Sequence, residues 1–210
     1  MSEAGFIDRL MFRATALGVD VPRVHGEQLR RYYELLRRWN RRMNLTALPL
    51  EELPADEVLD RLFVEPLIAA TLIENEPLEW LDVGSGGGSP AIPLKIVRGQ
   101  LNLTMVESRA RKAAFLREAT RQLSLANVEV VAERVEMLSE PMANSIDLIT
   151  IRAVKLDAEL LHVLGSVLDS AGRLVVFGSD DVPSGFEMVE RASLSVAGSF
   201  VTVFSAHVPG

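Results

Sequence analysis

The apolar positions divide the chain into a helical N-terminal third and a remainder in which short hydrophobic runs alternate with amphipathic stretches. Phe6, Ile7, Leu10, Phe12, Ala14 and Leu17 recur in a helical rhythm over Ser2–Leu17, and Gly18 ends it. After a connector containing Pro22 (residues 19–26), Glu27–Met43 predicts a clearer helix. Leu29, Tyr32, Leu36, Trp39 and Met43 share one face, and Arg30, Arg37, Arg38, Arg41 and Arg42 spread over another. Asp56–Ile73 predicts a third helix, bent or divided by Pro66. Beyond it, Trp80–Val83, Leu101–Val106, Val128–Ala132, Ser145–Ile151 and Leu174–Phe177 read as strands, with helices opening at Pro90, Arg109 and Leu156 between them. Phe186–Val196 and Phe200–His207 read as an antiparallel pair joined at Ala197-Gly198-Ser199. This order predicts an α/β fold, an open, mostly parallel, doubly wound sheet closed by a C-terminal hairpin. Residues 1–75 are read as an N-terminal helical extension and residues 76–210 as the core.

The stretch Glu79–Val97 carries the chemistry. A buried strand ends at Asp82-Val83, and Gly84, Gly86, Gly87 and Gly88 allow backbone angles or close approaches that a side chain would obstruct. Ser89 is expected to cap a helix beginning at Pro90, and Pro93 to leave its first turn irregular. A strand, a glycine loop and a helix suit a nucleoside cofactor lying against a helix N-terminus. No Gly-Lys-Ser/Thr closes the loop, so it is no nucleoside-triphosphate cradle. Glu107 ends the next strand 23 residues after Gly84, where a carboxylate accepts from both ribose hydroxyls. Without more, the loop also reads as a plain tight turn and Glu107 as a solvated strand end.

Composition narrows the remaining classes. The 210 residues are 48% hydrophobic and 24% charged, as in an ordinary globule, and contain no cysteine. Disulfides, thiol nucleophiles and cysteine metal sites are thereby excluded, and three histidines make a histidine metal cluster improbable, so no metal is expected. Neither a signal core nor a membrane-length apolar run is present; a cytoplasmic protein is expected. Net charge is −7, yet residues 1–50 hold nine Arg against five acids, while residues 51–80 hold one Arg and nine acids. The basic N-terminal segment suits an RNA backbone or is only a solvated helix face. The acidic segment is read as a wet surface. A second basic surface, Arg109, Arg111, Lys112, Arg117 and Arg121, lies near the cofactor end of the sheet.

No HExxH or G-x-S-x-G string occurs, whereas methyl transfer from a sulfonium nucleoside needs mainly binding and alignment. Several stretches together resemble the bacterial small-subunit ribosomal RNA guanine-N7 methyltransferases of the glucose-inhibited-division B type. Trp39-Asn40-Arg41-Arg42-Met43-Asn44-Leu45-Thr46 looks like that family's WN-x-x-x-NLT signature, and Asp82–Leu94 is similar to its cofactor loop. Glu107-Ser108, Arg111-Lys112, Phe115-Leu116, Arg134-Val135-Glu136 and Arg152-Ala153 resemble its later motifs. The resemblance implies a class I, Rossmann-like methyltransferase using S-adenosylmethionine to methylate guanine N7 in RNA of the small ribosomal subunit; a monomer is expected. It further implies donor binding by Gly84, Ser89 and Glu107, with Val135 and Glu136 beside the adenine; Asp82, Gly86 and Gly88 of the same strand end and loop are candidate donor contacts as well. Arg152 falls at the cofactor and guanine site and is the candidate catalytic residue. Arg37, Arg38, Arg41, Arg42, Asn44 and Arg134 are candidate RNA contacts. On the residues alone, Glu136 also suits holding Arg134 or a solvated position. The chain departs from the family pattern at Ser89, Ala91, Leu62, Glu65 and Pro66, and near Phe177-Gly178-Ser179, where the common Lys-Gly pair is missing. Methyl transfer to another RNA or a small molecule, and binding without turnover, remain alternatives.

Overall fold

Side-chain alternation along the strands decides which residues meet on each side of the sheet. The computed structural model describes residues 3–52, 54–178, 182–193 and 199–206. Five parallel strands, β1 (Glu79–Val83), β2 (Asn102–Val106), β3 (Val128–Val131), β4 (Ile146–Arg152) and β5 (Leu168–Phe177), are joined by β6 (Phe186–Ser193) and β7 (Phe200–Ala206). They form one sheet in the order β3-β2-β1-β4-β5-β7-β6, with β7 antiparallel to both neighbours. The order reverses beside β1, which puts a ligand crevice at its carboxyl end. Of the expected turn joining the last pair, Ala197 and Gly198 lie outside the described residues, as do Val196 and His207 at the expected strand ends.

One face, carrying Trp80, Met105, Leu148 and Phe177, packs under the N-terminal helices, α5 (Ala91–Val97) and α6 (Ala110–Gln122). Leu81, Val83, Val106, Ile149, Ile151 and Val176 project to the other, against α7 (Ala158–Val167) and the 3₁₀ turn Val135–Leu138. The N-terminal segment comprises α1 (Glu3–Ala16), α2 (Arg23–Asn40), α3 (Asp56–Leu59), a π turn (Asp60–Val64) and α4 (Glu65–Thr71). Phe63 sits edge-on to Phe6 and Tyr32, and Trp39 packs on Phe115, so α2 bridges the first helix and α6. Among the described residues no helix is long and apolar enough to cross a membrane.

Several local expectations are corrected. Helix α2 starts at Arg23, directly after Pro22, and stops at Asn40 rather than Met43. The stop is set by the Asn40 carboxamide, whose Oδ1 accepts from Leu45 N (2.8 Å) and Thr46 N (3.1 Å) while Nδ2 donates to Thr46 O. Arg30 is not on a solvated face, since its side chain is mostly buried and pairs with Glu34. Two of the acids read as surface groups, Asp60 and Glu65, are 1% and 3% exposed and each meets an arginine, Arg13 and Arg152. Strand β5 begins at Leu168 rather than at Leu174, so Ala171, Gly172 and Arg173 lie inside it, where the pairing with β4 slips between Ile146 and Leu148 and Asp169 Oδ1 accepts from Ala171 N.

Candidate active site

The strand register builds the site before any ligand is considered. Asp82 pairs with Thr150 across β1 and β4, and both side chains share the Trp80 face, under the N-terminal helices. Trp80 Nε1 donates to Thr150 Oγ1 (2.9 Å), and that hydroxyl donates to Asp82 Oδ1. Asp82 Oδ2 is buried with no hydrogen-bond partner among the described residues. Burial pushes its carboxyl up to about 6, although the Thr150 hydrogen bond, the neighbouring Ser85 hydroxyl and the charge of Arg152 pull the other way.

The glycine loop leaves β1 with Gly84 at φ +71°, where an added Cβ would lie 2.6 Å from Val154 Cγ2. Gly88 N donates to Ser85 O (2.7 Å) and Gly88 O receives Ile92 N (2.6 Å), which closes the turn into α5. Pro93 lies inside α5, which is regular only from Ala91, with turns rather than helix at Ser89 and Pro90. Ser89 is not the helix cap that its position predicts. Pro90 occupies the cap without a side-chain bond, and Ser89 Oγ donates to Leu62 O (3.1 Å) while accepting from Arg152 Nη1 (3.2 Å). Glu107, 7% exposed, accepts from Gly86 N (3.1 Å) at one oxygen and Arg109 N (2.8 Å) at the other.

Alternation along β4 carries Arg152 to the same face. Its side chain is 12% exposed. Nη2 donates to Glu65 Oε2 (2.7 Å), Nη1 to Arg61 O and Ser89 Oγ, and the guanidinium carbon lies 4.4 Å from the Phe177 ring centroid. Burial lowers the guanidinium to about 10, opposed by Glu65 and assisted by Arg61, so it stays charged at neutral pH. Ala153, at φ +56°, turns the chain away immediately afterwards.

Gly84, Gly86, Ser89 and Arg152 line one cavity of about 470 Å³. Its remaining walls come from Tyr32 and Leu36 of α2, the loop Leu45–Leu48, Glu57, Arg61 and Leu62 around the π turn, and Lys112 of α6. Sequence reasoning missed this second wall. Tyr32 is fully buried in the core, and its hydroxyl also donates to Gly87 O (2.7 Å), with burial raising its pKa well above the ordinary phenol value. Asn40 and Thr46 stood inside the quoted signature, and that was the available signal for the loop. Asp82 and Glu107 abut the glycine loop without lining the cavity. Val135 is buried in the core cluster that also holds Val106, and the carbonyl of half-exposed Glu136 accepts from Ser139 Oγ (3.0 Å). No ion pair joins Glu136 to Arg134 among the described residues. Arg38, Arg41, Arg42, Asn44 and Arg134 are exposed and Arg37 is half-buried; all but Arg134 cluster at the end of α2. Ser179, in the segment with the missing Lys-Gly pair, lies outside the described residues.

Residues 25–196 match the family described as GidB, rRNA small subunit methyltransferase G. The ribosomal RNA small subunit methyltransferase G of Xanthomonas axonopodis pv. citri is 39% identical over 178 residues, covering 81% of this chain and 80% of that protein. The protein of the same description from Neisseria meningitidis serogroup C is 38% identical over 166 residues, covering 79% and 76%. Among solved structures, a SAM-dependent methyltransferase from Aquifex aeolicus superposes with a TM-score of 0.57 at 18% identity, over 73% of this chain and 94% of that one. At that identity the likeness concerns the fold, the Rossmann-like architecture of class I methyltransferases.

Proposed function

Because the chain belongs to the GidB family of rRNA small subunit methyltransferases, we propose that it transfers a methyl group from S-adenosylmethionine to N7 of a guanine in small-subunit ribosomal RNA. One observation carries the acceptor side of this reading. Arg152 is held charged in the wall of the cavity that the glycine loop lines, and three of its guanidinium donors are spent on Arg61 O, Ser89 and Glu65. An arginine carries five N–H groups, so two remain for a base. Arginine pairs with guanine at O6 and N7. Here N7 must keep its lone pair, and a donor to O6 alone orients the ring.

The residues fit the proposed donor. The partnerless Asp82 Oδ2 suits an ammonium group. Each Glu107 oxygen accepts one backbone amide and keeps a lone pair for a ribose hydroxyl. A side chain at Gly84 would collide with Val154, so the loop stays bare where a ligand must pass. Gly86, Gly88 and Ser89 complete the proposed cradle, with Val135 and Glu136 on its adenine side.

When bound, S-adenosylmethionine supplies a methyl carbon on a positively charged sulfur, which departs with the bonding pair as a neutral thioether. Guanine N7 loses no proton in accepting that carbon, so no side chain serves as a general base. The chain's part is alignment and exclusion of water. Arg37, Arg38, Arg41, Arg42, Asn44 and Arg134 are proposed to grip the RNA, with the protein acting as a cytoplasmic monomer on the small subunit or its RNA.

The test is incubation of purified protein with methyl-labelled donor and small subunits lacking N7 methylation, then mapping of 7-methylguanine by chemical strand scission. Label at a single guanine is expected. Donor bound at the site with no label entering RNA would refute the acceptor.

A further inference from the structure

Beyond the transfer itself, and resting on the reading of Arg152 given above, we propose that Glu65, together with the π turn preceding it, is a positioning clamp that fixes the Arg152 guanidinium for the acceptor base. The clamp originates in a sequence oddity. In an α-helix the carbonyl of Arg61 would receive the amide of residue 65, and that of Leu62 the amide of residue 66. Glu65 N–H reaches back to Asp60 O instead, as a π turn requires, and Pro66 has no amide to give. Both carbonyls therefore lose their α-helical donor and take up bonds from the site. Arg61 O receives Arg152 Nη1, and Leu62 O receives Ser89 Oγ, which itself accepts from Arg152. Pro66 thus does more than divide a helix; it frees the acceptors that hold an arginine.

Glu65 anchors the other end. Its side chain is 5% exposed, Oε2 lies 2.7 Å from Arg152 Nη2, and Oε1 is buried without a hydrogen-bond partner among the described residues. A half-satisfied buried pair is a poor device for stability, because apolar groups of similar volume generally serve as well or better. A fixed orientation is what it supplies. With Glu65 at one end, Arg61 O and Ser89 along one edge and Phe177 against the face, the guanidinium is restrained in three directions. The titratable groups facing it are Glu65 and Arg61 from α4 and the π turn, Asp82 from β1 and the neutral phenol of Tyr32 from α2. Burial lowers its pKa and Glu65 is the foremost opposing influence.

The experiment uses the full chain, donor-free, with ¹⁵N/¹³C-labelled arginine and R152K to assign the Arg152 signals. Restricted rotation of the guanidinium, seen as separate Nη resonances, is expected in the native protein. Glu65→Gln should merge those resonances and move the titration of Arg152 to lower pH, with Glu65→Asp restoring part of both. In single-turnover methylation, Glu65→Gln should slow transfer about ten- to a hundredfold, the range for a lost hydrogen bond to a charged group. Donor affinity should stay within about twofold. Should Glu65→Gln not fold, Pro66→Ala tests the same clamp with a better helix former, since its restored amide competes for the freed carbonyls and should loosen Arg152 and slow transfer. Unchanged Arg152 resonances, titration and rate in either folded variant would overturn the clamp. Restrained resonances in a protein that methylates no RNA would leave the clamp standing and refute the acceptor reading instead.

Discussion

Replacing Asp82 by asparagine separates what the buried carboxylate does to folding from what it does for binding. Asp82 is 1% exposed, Thr150 serves one oxygen, and the other is buried with no hydrogen-bond partner among the described residues. Burial raises its pKa from 3.8 to about 6. The folded protein therefore retains a proton over a pH range in which the unfolded chain has lost it. Stability is full below about 4, falls as pH rises through that range, and levels off above about 6. Two pKa units correspond to about 3 kcal/mol. Asparagine does not titrate, so the stability of Asp82→Asn relative to the native protein should rise by about 3 kcal/mol between pH 4 and pH 7.5. The unpaired amide costs about 1–3 kcal/mol at every pH and cancels from that difference. Urea unfolding at matched ionic strength across the range measures it. A difference that is flat with pH refutes the reasoning, because the carboxylate would then be solvated or already paired. Calorimetry on the same variant tests the binding role, where a loss of donor affinity of about tenfold or more is expected from removing a charge-assisted hydrogen bond.

Tyr32→Phe removes the 2.7 Å bond to Gly87 O. It should lower stability by about 1–2 kcal/mol and weaken donor binding, read as a smaller donor-induced rise in melting temperature. Lys95 is 2% exposed and donates to Gly99 O and Leu101 O, the carbonyls that follow α5. Lys95→Met keeps the stem but strands both acceptors, and about 2–4 kcal/mol should disappear from the urea-unfolding free energy. Changing Arg41 and Arg42 together to glutamine should weaken RNA binding and flatten its log–log salt dependence by about one unit per lost phosphate contact, with donor affinity unchanged.

Much of the sheet was legible because strand formation and burial obey local rules. Trp80–Val83 and Leu101–Val106 are apolar runs bounded by turn residues, and the fold placed β1 (Glu79–Val83) and β2 (Asn102–Val106) within two residues of those limits. Gly84 and Glu107 were legible as neighbours from their spacing, and Gly86 N does meet the Glu107 carboxylate. What escaped was long-range. That Ser89 answers to Arg152, 63 residues on, rather than to its own helix depends on strand parity in β4 and on carbonyls freed by Pro66. Charge patterning failed at Asp60 and Glu65 because an acid's exposure is set by the arginine that reaches it, and Arg13 and Arg152 reach these two from remote elements. Composition carries no such information.

The same long-range packing links the basic end of α2 to the chemistry. Leu45–Leu48 walls the cavity, and the Asn40 carboxamide takes the place of backbone bonds in shaping the entry to that loop. The loop is pressed onto the glycine turn so closely that a Cβ at Gly87 would lie 3.1 Å from Leu45 O. Arg37 and Arg38 occupy the last turn of α2, and Arg41, Arg42 and Asn44 lie between Asn40 and that wall. RNA held by these arginines would bear on a short, well-tied segment whose other side touches the donor loop, with no flexible linker between them. Packed groups of this kind respond together, so a shift at the arginines should reach Gly87 rather than be absorbed. Asn40→Ala should therefore impair donor binding as well as RNA capture, even though Asn40 lines neither surface, whereas a purely electrostatic docking face would lose only the RNA.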